Sequence, residues 1–264
     1  MAVSTYEALK LERTGHIAII TLNRPEKLNA LDPTLTSDLH RALDDLATEN
    51  DIRTIVITGA GRGFCSGADV NQQLESLEGG GEARESQGPG IVELGPHLRL
   101  VPQPIIAAVN GVAAGAGLAI ALASDIRIAS ESARFSCIFV KRSLVPDTGS
   151  SYTLSRLVGQ GIAMEMALTG NIYDAEWALE KGLVNRVVPA ERLMEEALAV
   201  ASDIASNPPL AVRSIKQLLY EHDPNLYEVL PKESAANAPS AKSEDRLEAV
   251  RSFLEKRPPV YKGR

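Results

Sequence analysis

Three short runs of aliphatic and β-branched residues, each shut off by asparagine, glycine or proline, set the architecture this chain can adopt. Residues 16–22 (HIAIITL) run into Asn23-Arg24-Pro25, residues 54–58 (TIVIT) stop at Gly59-Ala60-Gly61, and residues 105–109 (IIAAV) lead into Asn110-Gly111. Such runs read as buried strands ending in turns. Between the first two, Asp32-Pro33 offers an N-cap followed by proline at the first helical position. Leu35, Leu39, Leu43 and Leu46 then recur at helical spacing, so a helix is expected to about Asn50. Strands alternating with helices define an α/β body. No GxGxxG follows the first strand, which points to successive β-β-α-like units rather than one long dinucleotide-binding sheet.

With 264 residues, 44% of them hydrophobic and 23% charged, the chain can bury one sizeable core and carry a small accessory unit. Residues 1–200 are expected to form that core. Residues 201–264 read as a helical region broken at Asn207-Pro208-Pro209, Asp223-Pro224 and Pro258-Pro259. A net charge of −7 without long runs of one sign argues against a nucleic-acid or membrane-surface partner. The one cationic stretch, Lys256-Arg257 through Lys262 and Arg264, could meet phosphate. Cys65 and Cys137 are too few for a disulfide framework or a zinc site. The N-terminus lacks the apolar segment of a secretory signal, and no apolar run approaches the roughly 20 residues that span a bilayer. A cytoplasmic protein is expected.

Two glycine clusters sit where backbone would have to approach a ligand: residues 61–70 (GRGFCSGADV) and 110–121 (NGVAAGAGLAIA), both directly after strands. Strand-to-helix turns present unpaired N–H groups, and two converging on one point would make an oxyanion hole. Either cluster alone could equally serve turn geometry and close packing. Residues 75–95 are polar and glycine-rich, the composition of a surface loop, and loops between rigid strands often cover sites.

Taken together, ITLNRPEKLNAL (20–31), GFCSGADV (63–70), PIIAAVNGVAAGAGLAIALASD (104–125), LVPDTGSSYTLSRLVG (144–159) and FLEKRPP (253–259) resemble the crotonase, or enoyl-CoA hydratase/isomerase, family across the whole chain. The resemblance implies a spiral of repeated β-β-α units whose C-terminal helical region assembles homotrimers or dimers of trimers. It also implies an acyl-CoA substrate, with no cofactor beyond the coenzyme A moiety. By position, the backbone N–H groups of Ser66 and Ala116 would hold the thioester oxygen. Arg24, Lys27, Leu28, Ala30, Ala68, Asp69 and Val70 would border coenzyme A. Phe253 and Lys256 would reach the adenine and phosphates of a neighbouring protomer.

Departures from the family pattern narrow the chemistry. Hydratases of the family hold water between two glutamates, because addition of water needs paired acid and base groups. Here those positions are Ala119 and Phe139, and neither can move a proton. One carboxylate stands in a suggestive place: Asp147, just ahead of a helix, where it is either an N-cap or the carboxylate that non-hydratase branches of the family use. Glu75, Glu78, Glu82, Glu85, Glu93 and His97 are further candidates for an acid or base. The expected activity is therefore an enoyl-CoA isomerase with Asp147 as base. The alternatives are a chlorobenzoyl-CoA-type dehalogenase with Asp147 as nucleophile, a hydratase, and a non-catalytic acyl-CoA binder.

Overall fold

A computed structural model describes residues 5–78, 89–207, 209–221 and 226–260. The chain opens with a hairpin, β1 (Leu9–Thr14) and β2 (Ile17–Leu22), followed by α1 (Pro33–Thr48). Three strand pairs follow, each leading into helical structure. They are β3 (Thr54–Gly59) and β4 (Gly63–Cys65) before α2 (Val70–Glu78) and α3 (Leu94–Leu100), then β5 (Ile105–Val109) and β6 (Val112–Ala114) before α4 (Ala116–Ala123). The last pair is β7 (Ile126–Ser130) and β8 (Arg134–Ser136), before α5 (Ser150–Thr169). Next come β9 (Tyr173–Asp174), α6 (Ala175–Glu180), β10 (Arg186–Val188) and α7 (Leu193–Ala205). Three helices complete the fold: α8 (Pro209–Glu221), α9 (Leu226–Ala241) and α10 (Glu244–Leu254).

The first strand of every pair joins a six-stranded sheet ordered β1-β2-β3-β5-β7-β10, and the second joins a four-stranded sheet ordered β4-β6-β8-β9. Within the large sheet, β2, β3, β5, β7 and β10 run parallel, and only β1 is antiparallel to its neighbour. In the small sheet β4, β6 and β8 are parallel. Each β-β-α unit thus adds one strand to both sheets, and the chain advances as the expected spiral.

Parallel strands covered on both faces need apolar residues at consecutive positions, which is why TIVIT does not alternate with polar residues. Ile55 and Ile57 join the main core with Leu35, Leu39 and Leu43 of α1. Val56 points the other way, with Ile106, Ala108 and Ile128, beneath Leu193, Ala197 and Ala201 of α7. The start of α1 is as expected: Pro33 opens the helix and the Asp32 side chain accepts from the Leu35 N–H at 2.7 Å.

The C-terminal helices fold back on their own chain. Lys216 of α8 is buried and bonds the Asp125 carboxylate and the Gln103 carbonyl, both at 3.0 Å. Tyr220 donates to the same carboxylate at 2.5 Å. Helix α10 lies on α2, with Arg251 paired to Glu78 at 2.8 Å. No helix among the described residues is long and apolar enough to cross a membrane.

Glycine is required where α4 crosses the turn after β4. A Cβ on Gly117 would lie 2.0 Å from the Cys65 carbonyl oxygen. Gly117→Ala gains at most about 1 kcal/mol of helix propensity, against roughly 1–3 kcal/mol for overpacking a rigid backbone contact. The variant should be less stable than the wild type in urea unfolding.

Candidate active site

The first wall of the site is built by residues 24–31, which fold over the turn after β4. Asn29 is fully buried, in the left-handed region at φ 56°, and donates to the carbonyls of Ala60 at 3.0 Å and Gly63 at 2.8 Å. Its side-chain oxygen accepts from the Arg24 N–H at 2.9 Å. Leu31 and Ala68 form a one-residue parallel bridge: the Leu31 N–H donates to Gly67 at 2.8 Å, and the Asp69 N–H donates to Leu31 at 2.9 Å. The two segments are therefore fixed in register.

The second wall comes from the turn between β6 and α4. Gly115 (φ 54°) is the N-cap of α4, which makes Ala116 the first helical residue, and the N–H of a first helical residue has no partner inside its helix. A Cβ on Gly67 (φ 96°) would meet the Ala114 oxygen at 2.8 Å and the Ala116 nitrogen at 3.5 Å, so the two glycine turns abut. Ala116 needs no positive φ, and it lines a cavity beside this turn.

The two expected donors differ in their surroundings. The Ser66 N–H is committed to the Leu28 carbonyl at 3.0 Å, and the Ser66 hydroxyl donates to Lys27 at 3.3 Å. In the Leu31–Ala68 bridge the bonds belong to Gly67 and Asp69, which turns the Ala68 N–H away from the bridge and leaves it without an acceptor among the described residues. Ala68 and Ala116 both line a cavity of about 610 Å³, and neither N–H has an acceptor among the described residues.

That cavity is closed by Ile91 and Val92, by Ile138 and Phe139 after β8, by Leu144 and Asp147, and by Phe253 and Leu254 of α10. Phe139 fills its side of the wall with a buried ring, and Ala119 is enclosed in α4. Asp147 is half-buried. Its carboxylate accepts from the Thr148 hydroxyl at 2.9 Å, and its carbonyl accepts from the Ser150 N–H at 2.8 Å. The N-cap position of α5 falls on Gly149, two residues further on, so Asp147 does not occupy the capping position it could have had.

Of the residues expected to border coenzyme A, Lys27, Leu28, Ala30, Ala68, Asp69, Val70 and Phe253 lie on the cavity wall. Arg24 does not. Its guanidinium turns inward to the Ala30 carbonyl at 2.6 Å and to Asp32 and Asp69 at 3.2 Å each, where it ties the first wall together. Lys256 lines a separate hollow with Val140 and Leu168. Phe253 lines both this cavity and that hollow, on α10 packed against α2, and the Arg142 guanidinium stacks over its ring at 3.8 Å.

The other acid and base candidates point elsewhere. Glu75 and Glu78 belong to α2 and are exposed, and exposed Glu93 accepts from the Gly90 N–H. Glu82, Glu85, Lys262 and Arg264 lie outside the described residues. His97 sits 2.7 Å from the His40 ring nitrogen and 3.1 Å from Asp44, and burial lowers its pKa while Asp44 opposes that shift. Burial pushes the thiols of Cys65 and Cys137 up to about 12, which disfavours the reactive thiolate.

A two-sheet β-β-α spiral with a pair of unpaired main-chain donors facing one cavity is the make-up of the crotonase class. Residues 12–264 match the enoyl-CoA hydratase/isomerase family. Similar proteins include the (E)-benzylidenesuccinyl-CoA hydratase of Thauera aromatica, 39% identical over 96% of this chain and 98% of that one. The 1,2-epoxyphenylacetyl-CoA isomerase of Escherichia coli is 37% identical over 94% of this chain and 95% of its own. Among solved structures, an enoyl-CoA hydratase from Mycobacterium avium subsp. paratuberculosis superposes with a TM-score of 0.87 at 31% identity, covering 98% of this chain and all of the other. The chain belongs to the enoyl-CoA hydratase/isomerase family and is an acyl-CoA enzyme of it.

Raised thiol pKa values favour the protonated form below them, so at pH 8 only about one thiol in 10⁴ is ionised. A disulfide reagent at that pH should label neither cysteine in the native protein and both in denaturant.

Proposed function

We propose that this enzyme is an enoyl-CoA isomerase that moves a double bond from the β,γ to the α,β position. The observation that carries the reading is the lining of the cavity. Asp147 is a half-buried carboxylate on the wall shared with Ala116, while the two positions where hydratases of the family keep glutamates hold Ala119 and Phe139. The other buried carboxylate there, Asp69, is held by Arg24 and accepts from the Asn71 N–H at the start of α2.

In the proposed reaction the thioester oxygen accepts from the N–H groups of Ala68 and Ala116. Asp147 takes a proton from the carbon next to the thioester, the dienolate forms with its charge on that oxygen, and Asp147 returns the proton two carbons further along. Removing one such donor typically costs about 3–4 kcal/mol of transition-state stabilisation, and a positioned base contributes roughly 10²- to 10⁴-fold. Lys27, Leu28, Ala30, Asp69 and Val70 are proposed to border coenzyme A at the cavity's other end. Exposed Leu210, Leu218 and Leu219 on α8, with Leu168 and Ile172, favour assembly into a trimer or a dimer of trimers.

Asparagine keeps the shape of Asp147 and cannot accept the proton. Asp147→Asn should fold normally and bind acyl-CoA, because the Ala68 and Ala116 donors are untouched, yet lose at least about a hundredfold in isomerisation rate. Wild-type turnover of a β,γ-enoyl-CoA by this variant would remove Asp147 from the mechanism. Hydration of crotonyl-CoA by the wild-type enzyme should be very slow, measured as loss of the conjugated thioester absorbance.

A further inference from the structure

A second cavity, of about 800 Å³, lies between α1, α2 and α10 and shares Ala68, Asp69, Gln73, Ile91 and Leu144 with the first. The two are therefore adjoining compartments, and the second extends past the point where the thioester is held. On its wall sits Arg246, a side chain only 5% exposed. Its guanidinium donates to the Arg142 carbonyl at 2.9 Å and to the Gln73 side-chain oxygen, both neutral acceptors. Among the described residues no carboxylate lies within ion-pair distance of it, and the nearby guanidinium of Arg142 carries the same charge.

Such a group is costly, because a buried cation is normally paired. Position adds to the cost: Arg246 stands in the first turn of α10, the positive end of the helix dipole. Burial and Arg142 lower its pKa to about 10, and Asp147 opposes them from beyond contact distance. The remaining charges on this wall are accounted for. Asp32 and Asp69 share Arg24, Arg41 is paired with Asp38, and Asp44 is exposed beside His97. Two of the five guanidinium N–H groups of Arg246 are used, so three remain for an anion.

We infer that Arg246 determines specificity by receiving a carboxylate at the far end of the acyl group, so that the preferred substrates are half-thioesters of dicarboxylic acids. The inference rests on the acyl-CoA reading of the first cavity. A carboxylate suits the site, since the guanidinium fork can meet it with two parallel bonds in a place shielded from water.

The test compares paired thioesters of equal length on the full-length enzyme: 3-hexenoyl-CoA against 3-hexenedioyl-CoA, and the eight-carbon pair. The wild-type kcat/KM should favour the diacid by about tenfold or more, the range of a charge-assisted hydrogen bond. Arg246→Met should collapse that ratio by about 10- to 100-fold, and Arg246→Lys, which keeps the charge and loses the fork, should collapse it less. An equal or reversed wild-type preference overturns the inference, as does a ratio unchanged in Arg246→Met because both thioesters fall by the same factor. Should Arg246→Met fail to fold by circular dichroism, Arg246→Lys carries the comparison. If no enoyl-CoA turns over, calorimetry with hexanoyl-CoA and adipoyl-CoA separates the two readings. Tighter adipoyl-CoA binding that Arg246→Lys weakens sustains the role of Arg246 while the isomerase reading falls. Equal binding overturns the inference itself.

Discussion

The site depends on a contact between two stretches of main chain. Where α4 crosses the turn after β4, the Cα of Gly117 packs against the Cys65 carbonyl with no room for a side chain. Gly67, in a backbone region that disfavours side chains, brings the same turn beside Ala114 and Ala116. These approaches set the separation of the Ala68 and Ala116 N–H groups, and rigid flanking strands hold it. Β4 and β6 are neighbours in the small sheet, so the turns at their ends are anchored through one hydrogen-bonded ladder. Donors held this way are preorganised for the oxyanion role proposed for them, because their dipoles need not move as charge develops.

Much of the fold was legible because it rests on local rules. The apolar runs at 16–22, 54–58 and 105–109 became β2, β3 and β5, and Asp32-Pro33 opened α1. The glycine clusters marked the correct turns, since positive φ and close approach have few other solutions. What could not be read was which N–H within a turn stays unpaired. Ser66 and Ala68 are two residues apart, and the choice between them is made by the register of Leu31 against Ala68, a long-range fact. Arg24 shows a related limit: a basic residue in this segment suggests a ligand contact, and only the fold reveals that Asp32 and Asp69 converge on it.

The C-terminal region shows the same limit from another side. Helical composition after residue 201 was evident, and helix α10 does form. The body on which a helix packs is set by surface complementarity, which periodicity does not encode. Arg251 meets Glu78 and Arg246 meets Gln73, so α10 closes the cavity of its own chain and places Phe253 there. Arg246 drew no notice in the sequence, where an arginine in a charged helix reads as solvated. Its burial is what singles it out.

In the proposed reaction the groups that hold the thioester and the groups that act on it are made of different material. Ala68 and Ala116 contribute through peptide N–H, which every amino acid except proline supplies, so ordinary substitution at those positions leaves the donors in place. The side chains at 119, 139 and 147 come from two units of the spiral, the first from α4 and the other two from the connection between β8 and α5. None of the three side chains is part of the peptide groups proposed to grip the carbonyl. Such a scaffold keeps one intermediate constant while its fate is open to revision, and a new reaction can arise one residue at a time.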